Sequence, residues 1–335
     1  MKTVKLLKHI LPFPLVLILF IISLFAGSES IPFFEVLKIL TFSPEADFFN
    51  KIILLDLRLS RSVLAFLTGA LLAGSGTLFQ GYFQNPLADT GIMGISAGAT
   101  FGAVLSGFFS FSITLTVSIM GLSAFIGSLL TGLLVYLLAH RNVYSQNAVS
   151  LLLVGTALGT FLSALTSIIL LANFREMHTV YIWTLGSFNG KGWDDFLFAL
   201  FPSLLSFLLF VLITPSLDTL TGGEKTAQSL GVKTKSVRFW VLTAGSLATA
   251  TAVCSGGTIS FIGLIAPHIC RKIYGPSHRK LLVFSTLYGG AILLFSDILA
   301  RTLLAPTEIP VGIITALFGA PFFMYAINKR STLLG

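Results

Sequence analysis

Charge is what this chain has least of. Only 10% of its 335 residues are Asp, Glu, Lys or Arg, where a soluble domain carries about 25%. Too few ionised groups remain to cover a water-exposed surface, so a soluble globular protein is excluded. Cysteine is nearly absent: Cys254 and Cys270 are the only two, too few for a disulfide framework or a cysteine-rich metal site. The five histidines, at 9, 140, 178, 268 and 278, are scattered and form no HExxH pair. No GxSxG elbow exists. Gly222-Gly223-Glu224-Lys225-Thr226 has the look of a phosphate loop, but Glu224 stands where the loop needs glycine before lysine. Neither catalysis nor ATP hydrolysis by this chain is expected, and no metal or cofactor.

What the chain has is apolar length. Hydrophobic residues make up 55% of it, in runs of about 20, which span a hydrocarbon core as helices. The alternating segments of about 10 residues typical of a membrane barrel are missing. The length rule places ten spans, near 10–27, 60–83, 91–109, 112–139, 147–172, 195–215, 236–254, 257–273, 280–300 and 309–328. This predicts an all-α polytopic membrane protein, one compact bundle over 1–335 with both termini cytoplasmic. The first run, behind Lys2, Lys5 and Lys8, resembles a signal peptide, but so many spans follow that it reads as a retained helix. The net charge of +8 could suggest nucleic acid. Topology explains it better: with the N-terminus inside, the inner loops hold most of the 21 Lys/Arg and few of the 13 Asp/Glu, the bias of cytoplasmic loops.

Three connections are long. Two are outer, 28–57 with a short surface helix and 173–195; one is inner, 216–238. In the inner one, the polar stretch from Asp218 to Val232 predicts a helix from about Glu224 to Leu230, stopped by Gly231. It suits docking of another protein or is a solvated loop. Small residues recur every four positions at Gly94, Gly98, Gly102 and Ser106, and again at Gly155 and Gly159, a spacing that lets helices pack closely in lipid. Titratable groups are rare in the spans. Asp297 stands four residues before Arg301, where an ion pair along one helix face is the simplest reading; a carboxylate driving ion-coupled transport is the alternative.

The chain also carries RLSR at 58–61, QNPLADTGIMGISAGA at 84–99, GGEKTAQSLGV at 222–232, SGGTISFIGLIAPHICR at 255–271, SDILAR at 296–301 and EIPVGIITALFGAPFF at 308–323. Together these resemble the permease family of ABC importers for iron-siderophores, haem and cobalamin, over nearly the whole chain. The resemblance implies ten helices with an inverted repeat of the second-to-fifth and seventh-to-tenth, a repeat barely visible in this sequence. It implies a second permease subunit, two cytoplasmic ATP-binding subunits, an extracytoplasmic substrate-binding protein and a bacterial cytoplasmic membrane.

Roles follow position by position. Arg58, Arg61 and Arg301 match arginines that face the binding protein; otherwise they anchor helix ends or pair with Asp56 and Asp297. Glu224, Ala227, Leu230 and Gly231 match the element seated in the ATPase. Asn85, Pro86 and Leu87 match the turn that narrows the cytoplasmic end of the pathway, and Pro86 would break a helix there as a gate or as a plain turn. Gly94, Gly98 and Gly102 are packing residues. Ser60 stands where the family has proline, implying a less rigid helix start. Family frequency favours a ferric siderophore as cargo, with haem or cobalamin next; an ion-coupled transporter without an ATPase is the alternative.

Overall fold

The computed structural model describes residues 8–27, 29–41, 43–106, 119–141, 148–172 and 180–331. Among these residues the chain is helical and contains no strand. The α-helices among the described residues are α1 (Pro12–Phe25), α2 (Phe33–Leu40), α3 (Phe48–Lys51), α4 (Ser60–Tyr82), α5 (Ile95–Ser106), α6 (Ile119–Arg141), α7 (Ala148–Ala172), α8 (Trp193–Leu220), α9 (Glu224–Ser229), α10 (Thr234–Gly256), α11 (Ile262–Tyr274), α12 (His278–Thr302) and α13 (Val311–Ser331).

Among the described residues, seven helical stretches are long and apolar enough to cross a membrane, and two shorter apolar ones lie at Ile95–Ser106 and Val311–Ala326. Each overlaps a stretch that the sequence marks as apolar. The outer helices turn large apolar side chains outward: on α8, Leu197, Phe201, Leu204, Leu208, Val211 and Leu212 are all exposed. In a soluble protein that surface would aggregate; in a bilayer it is the lipid-facing side.

Helix α4 is the axis of the bundle. It packs against α8, α10, α11 and α12, and nearly every residue from Ser60 to Gly81 is buried. Glycine makes this possible. A methyl on Gly69 would strike the Gly289 carbonyl of α12, and one on Gly76 the Gly263 carbonyl of α11. Where α4 leaves hollows, neighbours fill them: Phe210 lies over Gly74 and the His278 imidazole over Gly81, while Phe79 of α4 enters the hollow at Gly245. Close contact of this kind holds helices together in lipid, where no hydrophobic effect drives association.

The predicted glycine ladder divides into two contacts. Gly98 and Gly102 of α5 lie against Gly127 of α6. Gly94 sits in the turn before α5, at φ +70°, where its Cα faces Gly155 and Gly159 of α7. Residues 107–118, which include the expected end of the third span, fall outside the described residues.

One boundary differs from expectation. The second span begins at Phe48 rather than near 60. The Asp47 side chain caps α3 by accepting the Asn50 N–H at 2.9 Å, and a π-helical segment, Ile52–Leu59, joins α3 to α4 without a break. Asp56, Arg58 and Arg61 make this stretch look like loop, but the arginines are buried in protein. Ser60 therefore lies inside a continuous helix, its hydroxyl donating to the Asp56 carbonyl, and the positions of Arg58 and Arg61 are fixed. The expected loop 173–195 is also partly structural: Ser187 N–H donates to the Gly256 carbonyl at 2.8 Å, Gly312 N–H to that of Gly186 at 3.3 Å, and the fully buried Phe188 ring covers Gly256.

Candidate functional site

Two ends of the bundle carry its polar chemistry. At one, three arginines turn inward. Arg58 Nη1 donates to the Leu24 carbonyl at 2.8 Å and the Phe25 carbonyl at 3.2 Å, and Nη2 to the Glu29 carbonyl. It thus satisfies carbonyls left without partners at the end of α1, where the helix is electronegative. Arg61 reaches across the bundle. Its Nε and Nη2 donate to Asp297 Oδ1 at 3.0 and 2.9 Å, and its Nη1 to both Glu308 oxygens at 2.9 Å. Arg301 Nε lies 3.2 Å from Asp297 Oδ2. Two guanidiniums and two carboxylates thus form one charge-balanced cluster joining α4, α12 and the segment before α13.

Asp297 is fully buried, and Arg58, Arg61 and Arg301 are 5%, 8% and 4% exposed. In this conformation all three arginines lie against groups of this chain. Glu308 escaped the sequence reading. It is held by the return of its segment, where Ile309 N–H donates to the Ala300 carbonyl at 3.0 Å.

The other end gathers the basic loops. Helix α9 spans Glu224–Ser229, as the sequence predicts. It closes with two reciprocal bonds, Val232 N–H to the Ala227 carbonyl and Gly231 N–H to that of Gln228, both 2.9 Å. This Schellman geometry needs the left-handed φ of +84° at Gly231. Ala227 is fully buried and fastens α9 to the bundle, while Glu224 and Leu230 face outward, Leu230 at 68% exposure. An exposed leucine on a short anchored helix is a shape another protein can grip.

The Asn85-Pro86-Leu87 turn lies beside it. Asn85 Oδ1 accepts the Leu87 N–H at 2.9 Å and the Asn85 carbonyl the Ala88 N–H at 3.1 Å, a local turn that its side chain imposes. Gln84 Nε2 donates to the Leu220 carbonyl, tying the turn to the end of α8. Past the turn, Asp89 Oδ1 rests over the bare Cα of Gly263.

A cavity of about 650 Å3 opens behind this turn. Gln80, Asn85, Pro86, His268, Arg271 and His278 are among its lining. Gln80, 2% exposed, donates from Nε2 to the Gly263 carbonyl at 3.1 Å and accepts from Arg271 Nη1 at 3.1 Å. His278 places both its backbone N–H and its Nδ1 2.8 Å from Asp218 Oδ1. Sequence reasoning missed Gln80, Arg271 and Asp218 as site residues; the signal available was polar side chains at the basic ends of α4, α8 and α11. Among the described residues no three His, Cys, Asp or Glu side chains are placed to hold a metal ion.

The model of the FecCD transport family matches residues 15–329. The chain belongs to the FecCD transport family. The cobalamin import system permease protein BtuC of Halobacterium salinarum is 40% identical over 283 residues, covering 84% of this chain and 74% of that one. The Fe(3+) dicitrate transport system permease protein FecD of Escherichia coli is 36% identical over 278 residues, covering 83% of this chain and 85% of that one. A metal-chelate type ABC transporter, solved in an inward-facing conformation, superposes with a TM-score of 0.84 at 31% identity, covering 98% of this chain and 100% of that one. As a FecCD chain this is a polytopic transport subunit. Its polar side chains gather in the arginine–carboxylate cluster at one end and around the short helix, turn and cavity at the other.

Proposed function

We propose that this FecCD chain is the permease subunit of an ATP-driven ABC importer that carries a ferric chelate into the cell. The observation that carries the reading is the small helix α9, anchored at one buried alanine with its remaining surface offered outward, in a chain matched to the family from residue 15 to 329. The basic end then faces the cytoplasm, in the cytoplasmic membrane of a bacterium, with ten spans and both termini inside. Two ATP-binding subunits each seat one α9, with Glu224, Ala227, Leu230 and Gly231 as the coupling residues. ATP hydrolysis takes place on those subunits. A second permease subunit completes the pathway, and Asn85, Pro86 and Leu87 narrow its inner mouth.

An extracytoplasmic binding protein docks over Arg58, Arg61 and Arg301. Because these arginines are occupied, docking works by exchange. Glu308 is the most exposed member of the cluster, with 25% of its side chain accessible, so an incoming carboxylate competes with it for the planar fork of Arg61. Cobalamin is the second cargo reading, because the relative at 40% identity is named for it.

The test is uptake of labelled ferric siderophores, haem and cobalamin by cells lacking this chain, complemented with wild type or with residues 222–231 deleted. Wild type is expected to restore uptake of one ligand and the deletion to abolish it, with the protein still present in the membrane. Undiminished uptake by the deletion variant would refute the coupling role.

A further inference from the structure

We infer that a groove between α8 and α10, at the basic end of the bundle, is a binding site for an anionic phospholipid. The inference goes beyond the importer reading and needs only a chain that spans a membrane.

The groove has a volume of about 580 Å3. Its wall on α8 runs from Leu209 to Ser216 and its wall on α10 from Lys233 to Trp240, and the tail of α9, Leu230 to Val232, closes it at the loop end. Polarity is graded along it. Ser216, Lys233 and Ser236 lie towards the loops, whereas Leu209, Leu212 and Trp240 lie further into the spans. From Ser216 to Leu209, and from Lys233 to Trp240, is two helical turns, about 10 Å. A cationic mouth leading into an apolar channel of that length has the outline of a lipid headgroup and the first part of its acyl chain.

The walls face outward. Leu212 is 64% exposed and Trp240 43%, on a helix whose outer side is apolar throughout. A soluble partner that meets α9 from the water reaches the mouth of the groove but not a tryptophan two turns inside a membrane span. Lipid reaches both.

The charge selects the class of lipid. Basic inner loops follow from topology alone, which is reason enough for Lys235. Lys233 differs in standing at the mouth of a groove, as the charged side chain among its lining. It is exposed and makes no ion pair among the described residues. The nearby carboxylates point elsewhere: Asp218 meets the ring and backbone of His278, and Glu224 lines a separate recess with Tyr82 and Arg238. Hydroxyls stand beside the ammonium. Ser203, Ser206 and Thr214 of α8 turn theirs back onto carbonyls four residues earlier. Those of Ser216 and Ser236 donate to no group among the described residues and are open to phosphate oxygens. A zwitterionic headgroup brings its own cation to this mouth and gains little from Lys233; a headgroup of net negative charge gains the full contact.

Trp240 is a built-in reporter of the channel. The test places the full chain in nanodiscs of phosphatidylcholine containing a small, equal fraction of either brominated phosphatidylglycerol or brominated phosphatidylcholine, and reads the part of the tryptophan emission that Trp240→Phe removes. We expect the brominated phosphatidylglycerol to quench it with about fivefold higher apparent affinity, the order of effect of one lysine near an anionic headgroup. Lys233→Gln should bring the two lipids close to equality. Lys235→Gln removes the same charge from the same end, outside the groove, and should leave the preference in place. Equal quenching by the two lipids in the wild type would overturn the inference. So would an equal fall in both lysine variants, which would mean a diffuse basic surface, or no quenching by either lipid, which would mean that protein covers the groove. None of these outcomes bears on the importer reading, because the measurement involves neither ATPase nor cargo.

Discussion

Replacing Asp297 with alanine is expected to cost about 3–5 kcal/mol of stability, the penalty of leaving a buried charge uncompensated. Asp297 is fully buried and faces Arg61 and Arg301 together. Without it, two guanidiniums remain in a dry region with only Glu308 to balance them. The midpoint of thermal unfolding should drop by roughly 10 °C, scaled from the 2–4 °C per kcal/mol of mid-sized domains. Cys254 and Cys270, both buried, are the chain's only thiols and report the loss of structure as they become reactive. The double variant Asp297→Ala/Arg301→Leu restores neutrality, with Arg61 still on Glu308, and should recover most of the loss. If the single variant unfolds at the wild-type temperature, the cluster is not holding α4 to α12. If the double variant is worse than the single, charge balance is not the reason.

The second large effect is expected at Gly76. Its hydrogen is all that separates α4 from the Gly263 backbone of α11. A leucine there meets main chain, which cannot rotate away as a side chain can. Overpacking typically costs 1–3 kcal/mol, and a backbone obstacle puts Gly76→Leu at roughly the top of that range. Because α11 carries His268 and Arg271, the cavity should be distorted even in molecules that fold. Gly192→Ala is the control: nothing lies near a methyl at that position, and its unfolding should match wild type in the same thiol assay. A Gly76→Leu chain as stable as the control would mean that the α4–α11 contact can open freely.

The sequence shows the helices because each is a run of apolar residues bounded by turns, and it shows α9 because Gly231 is a stop signal with a mechanism. It does not show where the second span begins. Asp56, Arg58 and Arg61 interrupt the apolar run, and no local rule says that distant protein will shelter those charges. The same limit governs the cluster. The Asp297–Arg301 pair is readable from a four-residue spacing, but Arg61 is 236 positions away from Asp297 and Glu308 is 247 from Arg61. The cavity was illegible for the same reason: Gln80 and Arg271 stand 191 residues apart, and only the packing of α4 against α11 unites them. The arginines were recognisable as special; that they turn inward depends on partners contributed by the far end of the chain.

The importer account is tested most directly by reconstitution. This chain would be purified with the ATP-binding subunits it retains through detergent extraction, placed in proteoliposomes, and supplied with loaded binding protein on the side opposite the ATPases. Labelled ferric chelate should accumulate in the compartment that holds ATP, and should cease to do so when ATP is withheld or when residues 222–231 are missing. Accumulation by this chain alone, driven by an ion gradient and lost in Asp297→Asn, would contradict the account and make it an ion-coupled transporter.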